Sequence, residues 1–183
     1  MRVVAGSKRG LKLNTIEGDS TRPTKDMVKE ALFSIIFDRI SDSIVLDLFS
    51  GSGSIGIEAL SRGAKECYFC DINPKCVDII KDNLTRAKLL EQAFVYKLDY
   101  FDMLDKVRNV SFDIIYVDPP YNKGFGIKAI ERIPSYDLLK KNGVLVYETD
   151  TGEDAPDTIG KYQKVKIKKY GRNYLSFYEH VNV

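Results

Sequence analysis

Asp118-Pro119-Pro120-Tyr121 is the stretch of this sequence best equipped for chemistry. Two prolines cannot donate to a sheet ladder, so they end the apolar run 112–117 and stiffen the turn after it. The turn then presents a carboxylate, a prolyl carbonyl and an aromatic ring together. That set suits a planar base bearing an exocyclic amine: carboxylate and carbonyl accept its two N–H bonds, and the ring stacks on its π face. Such an amine is a poor nucleophile because its lone pair is delocalised into the ring. Acceptors that hold both hydrogens relieve the positive charge that builds as an electrophilic carbon arrives. Holding the nitrogen in line with that carbon supplies much of the remaining acceleration. These four residues are the candidate catalytic set.

A second constellation starts at Asp47 and runs through Phe49, Gly51, Gly53 and Gly56, a G-x-G-x-x-G opening a helix. Asp71 follows 20 residues after Gly51. Glycines allow a tight turn and close approach to a ligand, and a carboxylate one strand over accepts from ribose hydroxyls. A dinucleotide and S-adenosylmethionine both fit that description. Asp47 separates them, since a carboxylate there repels a pyrophosphate but attracts an ammonium and a sulfonium. Asp99 provides an acceptor for an adenine amine, with Tyr100 beside it. Phe49 and Ile72 complete this candidate cofactor set.

These residues need strands to carry them. Apolar runs at 44–48, 67–72, 93–98, 112–117 and 143–148 alternate with helical patterns at 55–62, 74–88 and 126–132, and a further helix is expected near 135–141. The alternation predicts a parallel sheet with helices on both faces, and ligands at the carboxyl ends of its strands. Segments 164–170 and 174–180, joined at Gly171-Arg172-Asn173, predict a closing hairpin that adds an antiparallel strand. Residues 2–5 and 11–13 predict an N-terminal hairpin, and Thr24 is expected to cap a helix over 25–39.

The formal charge of +2 over 183 residues hides an uneven distribution. Residues 1–25 hold six basic against two acidic groups, net +4; residues 161–183 hold six against one, net +5; the middle is net −7. The basic ends make Arg2, Lys8, Arg9, Lys12 and Arg172 candidates for phosphate contact. Lys164, Lys166 and Lys168 alternate, which predicts one side of a strand. Hydrophobic residues at 44% exclude a disordered chain. No apolar stretch resembles a leader or a membrane span. Three cysteines disfavour a disulfide scaffold and suit a reducing, cytoplasmic setting. Cys67 and Cys70, three apart on a strand, are expected on opposite faces, and with one histidine in the chain no metal site is expected. Glu58 and Glu148 are expected near the cofactor side of the sheet, either of them readable as an ordinary solvated residue, with Glu148 ending the fifth strand where it can line the pocket.

At the motifs already named the chain resembles the RsmD family of bacterial small-subunit ribosomal RNA (guanine-N2)-methyltransferases. The resemblance extends through Arg2-Val3-Val4-Ala5-Gly6, Arg22-Pro23-Thr24, Glu30-Ala31-Leu32-Phe33, Leu46 to Gly53, Gly56 to Ala64, and Phe112 to Tyr121. It implies a Rossmann-like class I S-adenosylmethionine-dependent fold with a mostly parallel seven-stranded sheet, helices on both faces and a short N-terminal hairpin and helix. It implies one domain over 1–183, with a basic extension (1–23) before the core (24–183). The implied acceptor is a guanine N2 in 16S ribosomal RNA, within the 30S subunit or an assembly intermediate. Asp118 to Tyr121 would form the target pocket, Asp47, Gly51, Gly53, Asp71 and Asp99 would hold the cofactor, and Arg22 and Thr24 would lie near it. A monomer is expected. Adenine N6 methylation, a nicotinamide dehydrogenase and a non-catalytic RNA-binding assembly factor are the alternatives. The dehydrogenase leaves Asp118–Tyr121 without a purpose.

Overall fold

Ile44–Asp47 (β1), Glu66–Asp71 (β2), Ala93–Lys97 (β3) and Phe112–Val117 (β4) are short, mainly apolar runs, and Leu139–Asp150 (β5) is a longer strand with its apolar run at 144–147. Runs of that kind suit strands covered on both faces. The computed structural model, which describes residues 1–16, 23–120, 124–150 and 155–181, pairs all five in parallel. Thr158–Ile159 (β6), Tyr162–Tyr170 (β7) and Asn173–His180 (β8) complete the sheet in antiparallel register. The order is β3-β2-β1-β4-β5-β8-β7-β6. The chain reverses its direction of winding between β1 and β4, which is where such sheets form their ligand crevice. Eight strands replace the expected seven because the two residues of β6 pair with Tyr162 and Gln163.

Pro23–Ile35 (α1), Ser54–Ser61 (α2) and Pro74–Ala87 (α3) cover one face. Their core, with Val3, Leu32, Ile57, Phe69, Ile80 and Phe177, is fully buried. Tyr100–Lys106 (α4) and Phe125–Arg132 (α5) cover the other, around Leu46, Met103, Ile115, Ile130 and Tyr147. Cys67 packs in the first core and Cys70 in the second, on opposite faces as the spacing predicts.

Four local expectations are corrected. α1 starts at Pro23, a residue pre-set for a first helical position, so Thr24 lies within the first turn, and a separate 3-10 turn takes 37–39. Residues 135–141 are not a helix: a 3-10 turn covers 133–136 and β5 already begins at Leu139, opposite Phe112. α4 was not foreseen; it is short, and Asp99 starts it by accepting from the N–H groups of Phe101 and Asp102. The lysine row is broken. An irregularity between Lys164 and Lys166 places Lys164 opposite Tyr178 and Lys166 opposite Phe177, residues of opposite faces. Lys164 thus turns to Asp157 and the Ala155 carbonyl, while Lys166 and Lys168 stay on the α1 face.

The N-terminal hairpin forms as expected, with Arg2 bridging Lys12 and Val3 N–H donating to Leu11. It lies along α2. Glu58, readable from the sequence as solvated, is fully buried there and accepts from the backbone N–H groups of Val4 and Ala5 and from Arg62 Nε. Lys29 of α1, 2% exposed, bonds the Arg2 carbonyl at 2.6 Å and sits 3.4 Å from Glu58. Burial outweighs these partners and lowers the Lys29 ammonium pKa. Breaking one member of so buried a network leaves an uncompensated charge, so its parts hold the hairpin, α1 and α2 together as one unit.

Candidate functional site

Parallel strands put Asp47, Asp71, Asp99, Asp118 and Glu148 at one edge of the sheet, and all five line a single cavity of about 870 Å³. The glycine loop forms one wall. Gly51 and Gly53 take positive φ of 54° and 77°. Gly56 serves closeness instead: a Cβ on it would stand 2.3 Å from the Phe69 ring, so only glycine lets α2 lie against β2. Ser50, which the sequence did not single out, ties this loop across the strands. Its hydroxyl donates to the Asp47 carbonyl and accepts from Cys70 N–H, and its own N–H donates to the Cys70 carbonyl.

The carboxylates differ in surroundings. Asp47 is 1% exposed and accepts from Gly56 N–H at 3.3 Å. Burial pushes its carboxyl up to about 7, that hydrogen bond opposes the shift, and nearby Asp71 adds to it. Asp71 braces the loop, accepting from Gly51 N–H at 2.9 Å and Asn73 N–H at 2.8 Å. Beside it Ile72 is 70% exposed, an apolar side chain offered to the cavity. Asp99 caps α4 through Oδ1. Phe49 and Tyr100 stand 5.6 Å apart by ring centroids, and Phe125 lies 6.2 Å beyond Tyr100, a row of apolar faces along the cavity. The donor set fits a cationic, adenine-bearing ligand. Carboxylates flank the crevice, and an exposed aliphatic and two rings suit a flat base.

Asp118, Pro119 and Pro120 join the same cavity, with Pro119 buried. The Asp-Pro-Pro turn and the glycine-loop wall are therefore continuous. Arg22 and Tyr121 lie outside the described residues. Thr24 is placed by backbone only, in α1. The cavity also takes in Met1, Val28, Lys29, Asn73, Phe125 and Glu148. Of these the sequence signalled only Glu148. Phe125 opens α5 four residues after Tyr121, and an aromatic that close behind the motif is the signal that was available.

The phosphate candidates divide. α2 runs back from the glycine loop, so Ser61 lies at the amino edge, beside Gly63 and Asp42. The tip of the hairpin is fixed there, with Ser7 and Lys8 N–H bonded to Ser61. Lys8 and Arg9 thus sit at the edge away from the cavity, while Arg2 and Lys12 sit nearer its mouth. At the other end of the chain β8 opposes β5, so Asn173 faces Asp150 at the ligand edge. Lys168 and Arg172, the latter paired with Asp150 at 2.9 Å, share that edge. Among the described residues no helix is long and apolar enough to cross a membrane.

Comparison with known proteins agrees with this geometry. The family model "Conserved hypothetical protein 95" matches residues 1–179. YlbH of Bacillus subtilis is 38% identical over 181 residues, 98% of each chain. The Haemophilus influenzae protein named ribosomal RNA small subunit methyltransferase D is 38% identical over 152 residues, 82% of this chain and 79% of that one. Among solved structures, yhhF from Escherichia coli superposes with a TM-score of 0.87 at 27% identity, over 98% of this chain and 97% of the other. HI0767 from Haemophilus influenzae gives 0.83 at 32%, over 100% and 99%. A glycine-loop crevice, an Asp-Pro-Pro turn opening into it and a match along almost the whole length make this chain a member of the RsmD family, with the Rossmann-like class I methyltransferase fold.

Proposed function

We propose that this protein transfers a methyl group from S-adenosylmethionine to the exocyclic N2 amine of a guanine in small-subunit ribosomal RNA. The carrying observation is that the Asp118-Pro119-Pro120 turn and the Asp47–Asp71–Asp99 wall share one cavity. The relatives named for small-subunit ribosomal RNA methylation support the RNA class.

S-adenosylmethionine supplies an electrophilic methyl carbon on a sulfonium. The Asp47 carboxylate, poorly solvated, gains a cationic neighbour when the amino-acid end of that cofactor lies beside the glycine loop. Asp71, already fixed by two backbone N–H groups, offers its remaining lone pairs to ribose hydroxyls. Ile72 would cover one face of the adenine, and Asp99 would accept from its amine. Arg22 and Thr24 belong to this cofactor set by their place in the family motif. On the target side Asp118 and a prolyl carbonyl hold the amine hydrogens, and Tyr121 stacks on the base. As the N–C bond forms and the S–C bond breaks, leaving S-adenosylhomocysteine, Asp118 would take the amine proton and pass it to water. A base must leave its stack to reach this turn, which favours a loop or bulge in the RNA.

Labelled cofactor incubated with 16S ribosomal RNA and with 30S particles tests the reading. One N2-methylguanosine is expected after digestion; N6-methyladenosine, or no transfer to either substrate, would sink it.

The backbone grip belongs at the ligand edge, on Arg2, Lys12, Lys168 and Arg172. Lys168→Glu with Arg172→Glu is expected to weaken RNA binding and lower the salt slope by roughly 1–2. Lys8→Glu with Arg9→Glu, at the far edge, should change it less. Titrations across salt concentrations decide, and the reverse ranking removes the ligand-edge assignment.

A further inference from the structure

Behind the Asp118 turn the cavity is lined by a second buried carboxylate. Glu148 lies two residues before the end of β5, a strand that continues past the end expected at 148; it is 5% exposed and shares the cavity wall with Tyr116 and Asp118. Tyr116 Oη donates to Glu148 Oε2, and Asn173 Nδ2 donates to Oε1. These two donors come from the neighbouring strands β4 and β8, so the carboxylate is gripped from both sides of β5. Burial first, and then the Glu148, Asp118 and Asp47 carboxylates, keep the Tyr116 phenol protonated and hence a donor.

Burying a carboxylate costs desolvation energy that such hydrogen bonds offset only in part. An ionised carboxylate accepts only, with room for about four hydrogen bonds over its two oxygens. Tyr116 and Asn173 are among its donors and fix how it faces the cavity.

The bases differ in what they offer such a group. Guanine presents an N–H at ring position 1 directly beside its N2 amine. Adenine presents a bare nitrogen at position 1 beside its N6 amine, which a carboxylate repels. With the amine on Asp118 and the prolyl carbonyl, the neighbouring ring N–H is the next group along that edge of the base.

We infer that Glu148, oriented by Tyr116 and Asn173, reads the ring N1–H of the target and so selects guanine over adenine. This rests on the methyltransferase reading above and deepens it: Asp118 holds the amine that reacts, and Glu148 identifies the ring that carries it. A site built to hydrogen-bond a substrate N–H rejects the analogue lacking it far more strongly than an apolar pocket rejects a missing methylene.

The test replaces the mapped target guanine in the RNA by 2-aminopurine. That base keeps the N2 amine but has a bare acceptor at N1. Wild-type protein should prefer guanine by roughly 10- to 100-fold in kcat/KM, the range for a hydrogen bond to a charged group. Glu148→Gln places an N–H donor option where only acceptors stood. Its preference should fall to within about threefold of unity or reverse, with cofactor affinity within about twofold of wild type. Asn173→Ala removes one of the two orienting donors from a residue outside the core, and should lower the preference partway at unchanged cofactor affinity.

A wild-type guanine preference in both variants overturns the inference. So does a loss of cofactor affinity in Glu148→Gln that parallels its loss of activity, because the group would then serve the cofactor side. Absence of any transfer to guanine by the wild type overturns the methyltransferase reading itself and is recognisable as such before either variant is made.

Discussion

Asp118→Ala should lower methyl transfer to RNA by roughly 10²- to 10³-fold while leaving the affinity for S-adenosylmethionine within about twofold. The asymmetry follows from position. Asp118 stands one residue past β4 on the target side of the cavity, whereas the cofactor wall is built from the ends of β1, β2 and β3. Its acceptor strengthens as positive charge develops on the amine, so the loss falls on the transition state and lowers kcat and kcat/KM together. Asp118→Asn keeps one acceptor oxygen and should retain more activity than the alanine variant. Single-turnover rates and calorimetric cofactor titrations provide both readouts. An alanine variant at full rate removes Asp118 from the chemistry; one that has lost the cofactor moves it to the other wall.

Asp47→Asn should instead weaken cofactor binding and strengthen the fold. In the free protein the Asp47 carboxyl is raised to about 7, chiefly by burial. A raised acid binds its proton more tightly folded than unfolded, so the wild type loses stability as pH rises from about 4 to 7 and is flat above. Three pKa units correspond to roughly 4 kcal/mol, an upper figure for what the buried charge costs at pH 8. Asparagine still accepts from Gly56 N–H but never ionises. It should therefore raise Tm at pH 8 by about 5–10 °C and change it little near pH 4. The same titration governs binding. A cationic ligand needs the carboxylate, so wild-type affinity should fall by about tenfold per unit below pH 7, and the asparagine variant should lose that dependence. Thermal melts and calorimetry over pH 5–8 check it. Equal affinity in the variant and the wild type would falsify the pairing of Asp47 with the cation.

Position in the chain decided what could be read beforehand. The Asp118 turn and the glycine loop were legible because proline and glycine act on their own few residues. Asp71 and Ile72 were legible because parallel strands bring successive carboxyl ends together. The partnership of Lys29 with Glu58 was not, since 29 residues separate two groups that look solvated apart and are buried together. Glu58 alone resembles any helix-surface glutamate; only the docked hairpin takes it out of water. Lys164 was misplaced because alternation assumes an unbroken strand, and a single extra residue reverses every side chain beyond it. Asp99, expected as a ligand group, caps α4 at the cavity wall, and composition cannot separate a cap from a ligand.

β7 has a further consequence. β6 pairs with only its first two residues, Tyr162 and Gln163, and beyond them it forms the rim of the sheet among the described residues. Val165 and Ile167 on that rim are more than half exposed. An open strand with apolar side chains invites a second molecule to continue the sheet. Lysines at 164, 166, 168 and 169 and the irregularity at 165 oppose such pairing of two copies. Self-association is thereby discouraged by the same charges that a polyanion would find attractive, so a chain stripped of them to study RNA binding should be watched first for aggregation.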